Sequence, residues 1–266
     1  MESAWKYPSD LSDEQWRIIK RLLPKPARRG RKPIDRRGVI DAILYVVRSG
    51  CQWRMLPRDF PNWSTVYGIF RLWRLAGLWQ QIHDALREQV RQSEGKKPTP
   101  TAAVIDSQSV RTAEGGVERG YDAGKKITGR KRHVAVDTLG LVLTVVVHGG
   151  YWQDHDGACF VLLRLRERFR RLKVVFADSA YGRNDLPAWV QETFGWVLQT
   201  VLRPVAVKGF VVLPKRWIIE RTFAWISRCR RNAKDYERKP EHSEAMIHIT
   251  MIALMSKRLA NCKSSF

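Results

Sequence analysis

Apolar residues in the first ninety positions recur every three or four residues, whereas beyond position 100 they gather into short runs. The pattern therefore predicts helices first and a mixture of strands and helices afterwards. Ser12 and Gln15 form a capping box that opens a first helix, with Trp16, Ile19, Leu22 and Leu23 on one face and Pro24 as its stop. A second helix is expected over 36–48, burying Val39, Ile40, Ile43, Leu44 and Val47 and ending at Gly50. Ser64 is expected to cap a third helix carrying Val66, Ile69, Phe70 and Trp73, and Gly77 divides it from a fourth that runs to about Val90. Helices at these spacings suit a helix-turn-helix bundle. Residues 93–101 lack periodicity and are rich in breakers, so they read as a linker between a helical domain (1–92) and a second domain (102–266).

In the second half, Ala102 to Asp106 predicts a first strand that ends in an acid. A glycine-containing basic loop, 115–129, follows it. Two strands over 132–137 and 141–147 form a hairpin around Thr138-Leu139-Gly140. A helix over 157–169, a strand closing at Asp178, a helix over 184–193, a strand over 196–200 and a helix bearing Glu220 complete the series. This succession predicts an α/β, ribonuclease H-like fold, a mixed sheet flanked by helices in which the first and fourth strands lie side by side. Asp106 and Asp178 would then meet at the strand ends, where such sheets present chemistry.

Charge narrows the class of partner. The chain carries 48 Lys and Arg against 26 Asp and Glu, a formal net charge of +22. Such an excess attracts polyanions through counterion release and a long-range field, so nucleic acid is the expected partner. Cys51, Cys159, Cys229 and Cys262 are far apart and form no Cys-x-x-Cys pair, which argues against zinc and disulfides and for a reduced, cytoplasmic setting. No signal peptide is expected from the opening residues, and the run 139–147 is too short to span a bilayer.

Asp106, Asp178 and Glu220 together would form an oxygen-rich site for Mg²⁺ or Mn²⁺. Two such ions suit phosphodiester chemistry, with Asp106 bridging both. Each acid also has a structural alternative: Asp106 as a turn cap, Asp178 as an Asx-turn residue, Glu220 paired with Arg216 or Arg221 on its own helix. Candidate phosphate contacts are Lys125, Lys126, Arg130, Lys131 and Arg132 on the basic loop, and Arg216, Arg228, Arg230 and Arg231 around the last acid. Arg29 and Arg31 lie in a proline-flanked extended arm shaped for a minor groove, or else in a solvated linker. His133, His148 and His155 have no partner at ligand spacing and stay outside the site. Asp154, His155 and Asp156 read as helix caps, and Trp217, Phe223 and Trp225 as core.

The runs Val104-Ile105-Asp106-Ser107-Gln108-Ser109-Val110, Gly129 to Gly140, Ala177-Asp178-Ser179-Ala180-Tyr181 and Gly209 to Trp225 resemble DDE transposases of the bacterial insertion-sequence-five family. So do Arg230-Arg231, Lys234-Asp235-Tyr236-Glu237, Gly50 to Pro57 and Trp63 to Tyr67, and the resemblance spans nearly the whole chain. It implies a catalytic triad of Asp106, Asp178 and Glu220, metal-dependent cleavage and strand transfer, and a helical domain that recognises the element's terminal repeats. It also implies double-stranded DNA as partner, a homodimer in the DNA complex and a nucleoid-associated place in the bacterial cytoplasm. Relatives often carry a tyrosine, arginine, glutamate and lysine signature around the glutamate. Arg216 fits it, whereas Leu213 and Ser227 stand where the tyrosine and lysine would be. A metal-dependent nuclease and a catalytically retired DNA-binding regulator are the alternatives.

Overall fold

The computed structural model describes residues 7–25, 34–182, 185–201 and 215–263. Two compact units emerge, and the chain passes between them more than once. The first comprises residues 1–96, 228–233 and 245–266, and the second residues 97–227 and 234–244. The boundary near 96 falls inside the expected linker. The span 102–266 is not one continuous domain, however, because two C-terminal pieces pack with the helical unit.

In the helical unit, α1 (Asp13–Lys20) opens with the capping box of Ser12 and Gln15. The second helix, α2 (Arg36–Ser49), buries Val39, Ile40, Ile43, Leu44 and Val47 as its spacing requires, and ends at a left-handed Gly50. A short 3-10 turn (Trp53–Met55) precedes α3 (Trp63–Leu75). Asn62 caps α3 rather than Ser64: its side chain accepts from Ser64 N, so the helix starts two residues earlier than expected. Gly77 adopts φ 66° and starts α4 (Leu78–Ser93), which buries Ile82, Leu86 and Val90. Trp53, Phe70, Trp73 and Trp79 form the aromatic centre of this bundle.

The second unit is a six-stranded mixed sheet flanked by helices. Its strands are β1 (Ala102–Arg111), β2 (Gly120–Asp122), β3 (Ile127–Val136), β4 (Val142–Gly149), β5 (Val174–Asp178) and β6 (Val197–Val201). Antiparallel β1–β3–β4 and parallel β1–β5–β6 meet at β1, which puts the first long strand at the centre. The basic loop is not irregular throughout, since β2 and the start of β3 form a small hairpin within it. Helices α5 (Asp154–Arg168) and α6 (Leu186–Phe194) cover one face of the sheet. Ala103, Ile105, Ala135, Leu143, Val161, Leu162, Leu165, Tyr181 and Trp196 make a core there. Helix α7 (Arg216–Ser227) buries Ile218, Ile219, Thr222 and Ile226. Thr222 Oγ1 donates to Gly140 O at 2.8 Å, which ties α7 to the turn between β3 and β4. Gly140 has φ +78°, and a Cβ there would lie 3.0 Å from Thr222 Oγ1, so only glycine serves both the turn and the close approach.

Beyond α7 come α8 (Arg230–Ala233) and α9 (Pro240–Lys263). Residues 234–239 add backbone bonds alongside the end of β1, with Ala113 N donating to Asp235 O and Asp235 N to Arg111 O.

Candidate active site

Asp106 does not end its strand: β1 runs on to Arg111. What ends is the parallel pairing, because β1 and β5 are in register only from Ala102↔Val174 to Val104↔Phe176. Two residues beyond the last pair come Asp106 on β1 and Asp178 at the end of β5. A period of two puts each on the face of its pairing partner. The two strands therefore diverge with one acid on each, the strand-end crevice expected of an open α/β sheet. Asp106, Asp178, Val104, Phe176, Val201, Arg216 and Ile219 line a cleft with about 220 Å³ of empty space.

Within the cleft, burial pushes the Asp106 carboxyl up to about 6. The Ser107 backbone N–H opposes this rise, Asp178 adds to it, and Arg216 and Lys125 counter it. Asp106 Oδ1 accepts from Ser107 N at 2.7 Å, and Asp178 Oδ1 accepts from Ala180 N at 2.9 Å. The Asx-turn bond considered for Asp178 is thus present beside the cleft, whereas Asp106 lies within a strand and caps no turn.

Glu220 departs from expectation. It lies one turn after Arg216 on α7, and its carboxylate takes Arg216 Nε at 3.2 Å while remaining half exposed. Among the described residues, no three of His, Cys, Asp and Glu stand close enough to share one ion. The intrahelical pair, one of two open readings of the sequence, is the arrangement present. Arg216 therefore both lines the acid cleft and pairs with Glu220. Trp217 is 44% exposed and is not core, with the Arg221 guanidinium lying 4.6 Å from its ring centre.

The basic cluster divides. Lys125 and Lys126 are exposed at the β2–β3 turn, whereas Arg130, Lys131 and Arg132 are buried within β3. A central strand has both faces covered, so charges on it must find partners inside. Arg130 meets Asp235 at 3.2 Å and donates to the carbonyls of Val117, Glu237 and Arg238. Lys131 pairs with Asp154 at 3.0 Å and Asp122 at 3.4 Å. Arg130 and Lys131 thus find their partners inside the sheet unit, Arg132 is buried on the same strand where it pairs with β4, and burial leaves none of the three open to a phosphate in this structure. Arg231 is also buried and donates to Cys51 O at 3.1 Å within the helical unit, while Arg228 and Arg230 are exposed members of that unit. Arg29, Arg31 and Leu213 lie outside the described residues.

Sequence reasoning missed a polar network on the opposite face of β1. Ser107 Oγ donates to Asp154 Oδ1 at 2.7 Å, and Lys125 Nζ donates to Ser107 O at 3.1 Å. Ser109 Oγ donates to Asp122 Oδ2. His133 and His148 touch at 2.8 Å, and burial holds both below the usual imidazole range, His133 at about 3. Asp154 thus binds across the sheet instead of capping α5. The available signal was the alternation of polar residues at 107 and 109 with 106 and 108, which marks a strand polar on both sides.

Comparison with known proteins agrees with this architecture. Residues 11–83 match the family model for the transposase of IS4/5 family (DUF4096), and residues 97–256, more than half of the chain, match the transposase DDE domain. The chain is also similar to the insertion element IS402 uncharacterized 16.2 kDa protein of Burkholderia cepacia. It is 32% identical to that protein over 117 residues, covering 41% of this chain and 78% of the relative.

Proposed function

The chain belongs to the DDE transposases of the IS4/5 family, phosphoryl-transfer enzymes, and from that premise we propose that it binds the two ends of its own insertion element, cuts them and joins them to target DNA. The observation that carries the site assignment is the meeting of Asp106 and Asp178 where β1 and β5 part, with Arg216 in the same cleft.

DDE enzymes generally use divalent metals. The donor set fits a hard cation in part. Two carboxylates line one open cleft, Asp178 raising the Asp106 carboxyl, and the repulsion of two like charges is what such an ion relieves. Asp106 and Asp178 would hold Mg²⁺ or Mn²⁺, with Asp106 shared if two ions bind. The ions would supply activation of the attacking oxygen and stabilisation of the leaving one.

The chain's own residues do the positioning. The central strand β1 fixes Asp106 between two neighbours, and the network behind Ser107 braces that segment from the other face. Arg216 exchanges Glu220 for phosphate oxygens of the DNA, which its fork of donors can bind in pairs. Glu220, freed on the same helical turn, then completes the acid set. Lys125 and Lys126 contact the backbone of the duplex, as do Arg228 and Arg230. An element has two ends, so a homodimer on double-stranded DNA is the working assembly, in the reduced cytoplasm beside the nucleoid. Among the described residues no helix is long and apolar enough to cross a membrane.

The test uses the full-length protein, Mg²⁺, duplexes copied from the DNA on either side of the reading frame, and a target plasmid. Sequenced strand-transfer joints are expected. Fragments without joints would mark a nuclease, and binding without cutting would mark a regulator.

A further inference from the structure

Among the described residues, one helix of the first unit leaves a continuous face exposed. On α3, Val66 and Phe70 are buried, while Ser64, Thr65, Arg71, Leu72 and Leu75 are exposed. At 100° per residue, the exposed set and Gly68 occupy one continuous arc, and the buried or half-buried residues occupy the rest. Leu72 and Leu75 are each 64% exposed, well beyond what chance scatter along a surface helix needs.

Gly68 sits in the middle of that arc. A Cβ placed there would meet nothing within 4 Å, so no packing among the described residues requires glycine. Glycine inside a helix weakens it relative to any ordinary residue. A glycine kept at that cost with open space before it suits close approach by something outside the chain. The surroundings indicate the sign of that partner. Helix α3 contains no acidic residue, and Arg48, Arg54, Arg58 and Arg71 are exposed on it and just before it. The acid among them, Asp59, accepts from the Tyr7 hydroxyl at 2.7 Å. An α-helix about 10–12 Å across fits a major groove about 12 Å wide.

We infer that the face Thr65–Gly68–Arg71–Leu72–Leu75 of α3 enters the major groove of the element's terminal DNA and reads its sequence. This deepens the proposed end binding and rests on it. Thr65 and Arg71 offer donors to base edges, Leu72 and Leu75 offer apolar contact to thymine methyls, and Gly68 lets the helix backbone sit deep between them. Arg48, Arg54 and Arg58 straddle the phosphates.

The test measures binding of the full chain to a labelled end duplex and to a random duplex by fluorescence anisotropy, together with thermal melting. Gly68→Glu is expected to melt a few degrees higher, because it restores helix propensity in open space. It should nonetheless weaken end binding by about tenfold or more, with a much smaller change on random duplex. Gln92→Glu, the same charge change on exposed α4, should alter neither. Arg71→Ala should weaken end binding about fivefold, and it carries the test alone if Gly68→Glu fails to fold. Unchanged end binding by Gly68→Glu or Arg71→Ala, with wild type still preferring its ends, would overturn the α3 assignment and leave the transposase reading intact. A wild-type protein that does not distinguish ends from random DNA would sink end recognition by these helices altogether. A dimer lost in Gly68→Glu with DNA binding preserved would mark the face as a contact between copies instead.

Discussion

Asp41 in the helical unit and Asp106 in the sheet unit depart from ordinary carboxylates by the same amount, yet do different work. Burial pushes each up to about 6. Asp41 accepts from Leu11 N through Oδ1 at 2.9 Å and Arg37 approaches its Oδ2 at 3.8 Å, while Asp10 and Asp35 add to the rise. Its burial is the cost of fastening the chain before α1 to α2. Asp106 instead faces a second carboxylate across an open cleft, an arrangement that no packing need explains. A displaced pKa therefore marks burial; an open cleft shared with a second strand-end acid separates a reactive site from a brace.

The sharpest way to break this contrast is to remove each acid in turn. Asp106→Asn should lower cutting of labelled end DNA by about a thousandfold or more with binding retained, since a metal-bridging oxygen has no substitute. Asp41→Ala should leave cutting per folded molecule unchanged and destabilise the chain by about 1–3 kcal/mol, the penalty of an unsatisfied buried Leu11 N–H. Equal loss of cutting in both variants would dissolve the distinction.

Next in size is the buried cation on β3. Arg130→Ala strands Asp235 without its guanidinium and should cost about 3–5 kcal/mol in urea unfolding. A variant as stable as wild type but defective in DNA binding would return Arg130 to the DNA-contact set.

The pH dependence sharpens the comparison further. A carboxyl raised in the folded state binds its proton more tightly there than when unfolded. Its contribution to stability is therefore present at low pH and lost as pH rises from about 4 through 6. Asp106→Asn should accordingly stabilise the metal-free protein at pH 7.5 by roughly 1–2 kcal/mol and leave it nearly unchanged at pH 4. Mg²⁺ should raise the melting temperature of wild type at pH 7.5, do so less below pH 6, and not affect Asp106→Asn. An equal Mg²⁺ effect in the variant would place the ion elsewhere.

Smallest of all, Lys126→Ala should not move the melting curve, because the side chain is exposed. It should reduce the slope of log affinity against log salt by about one. An unchanged slope would remove Lys126 from the DNA surface.

Much of this protein was legible in one dimension because the rules involved are local. The capping box at Ser12, the apolar stripe of α2 and the left-handed Gly50 follow from periodicity and cap chemistry within a few residues. So does the series of elements behind a ribonuclease H-like sheet. That Asp106 and Asp178 could meet also followed, since strand order puts them side by side once the topology is known. Only tertiary structure decided which charges are buried and which are exposed. Arg130, Lys131 and Arg132 look no different in sequence from Lys125 and Lys126, but the first three fall on a strand paired on both edges and the last two on a turn. The i,i+4 spacing offered Arg216 as a partner for Glu220, whereas the choice of that pair over an acid site depended on packing that no spacing rule sets. Local pattern determines what a segment becomes; burial and the choice among competing partners arise only when distant segments pack.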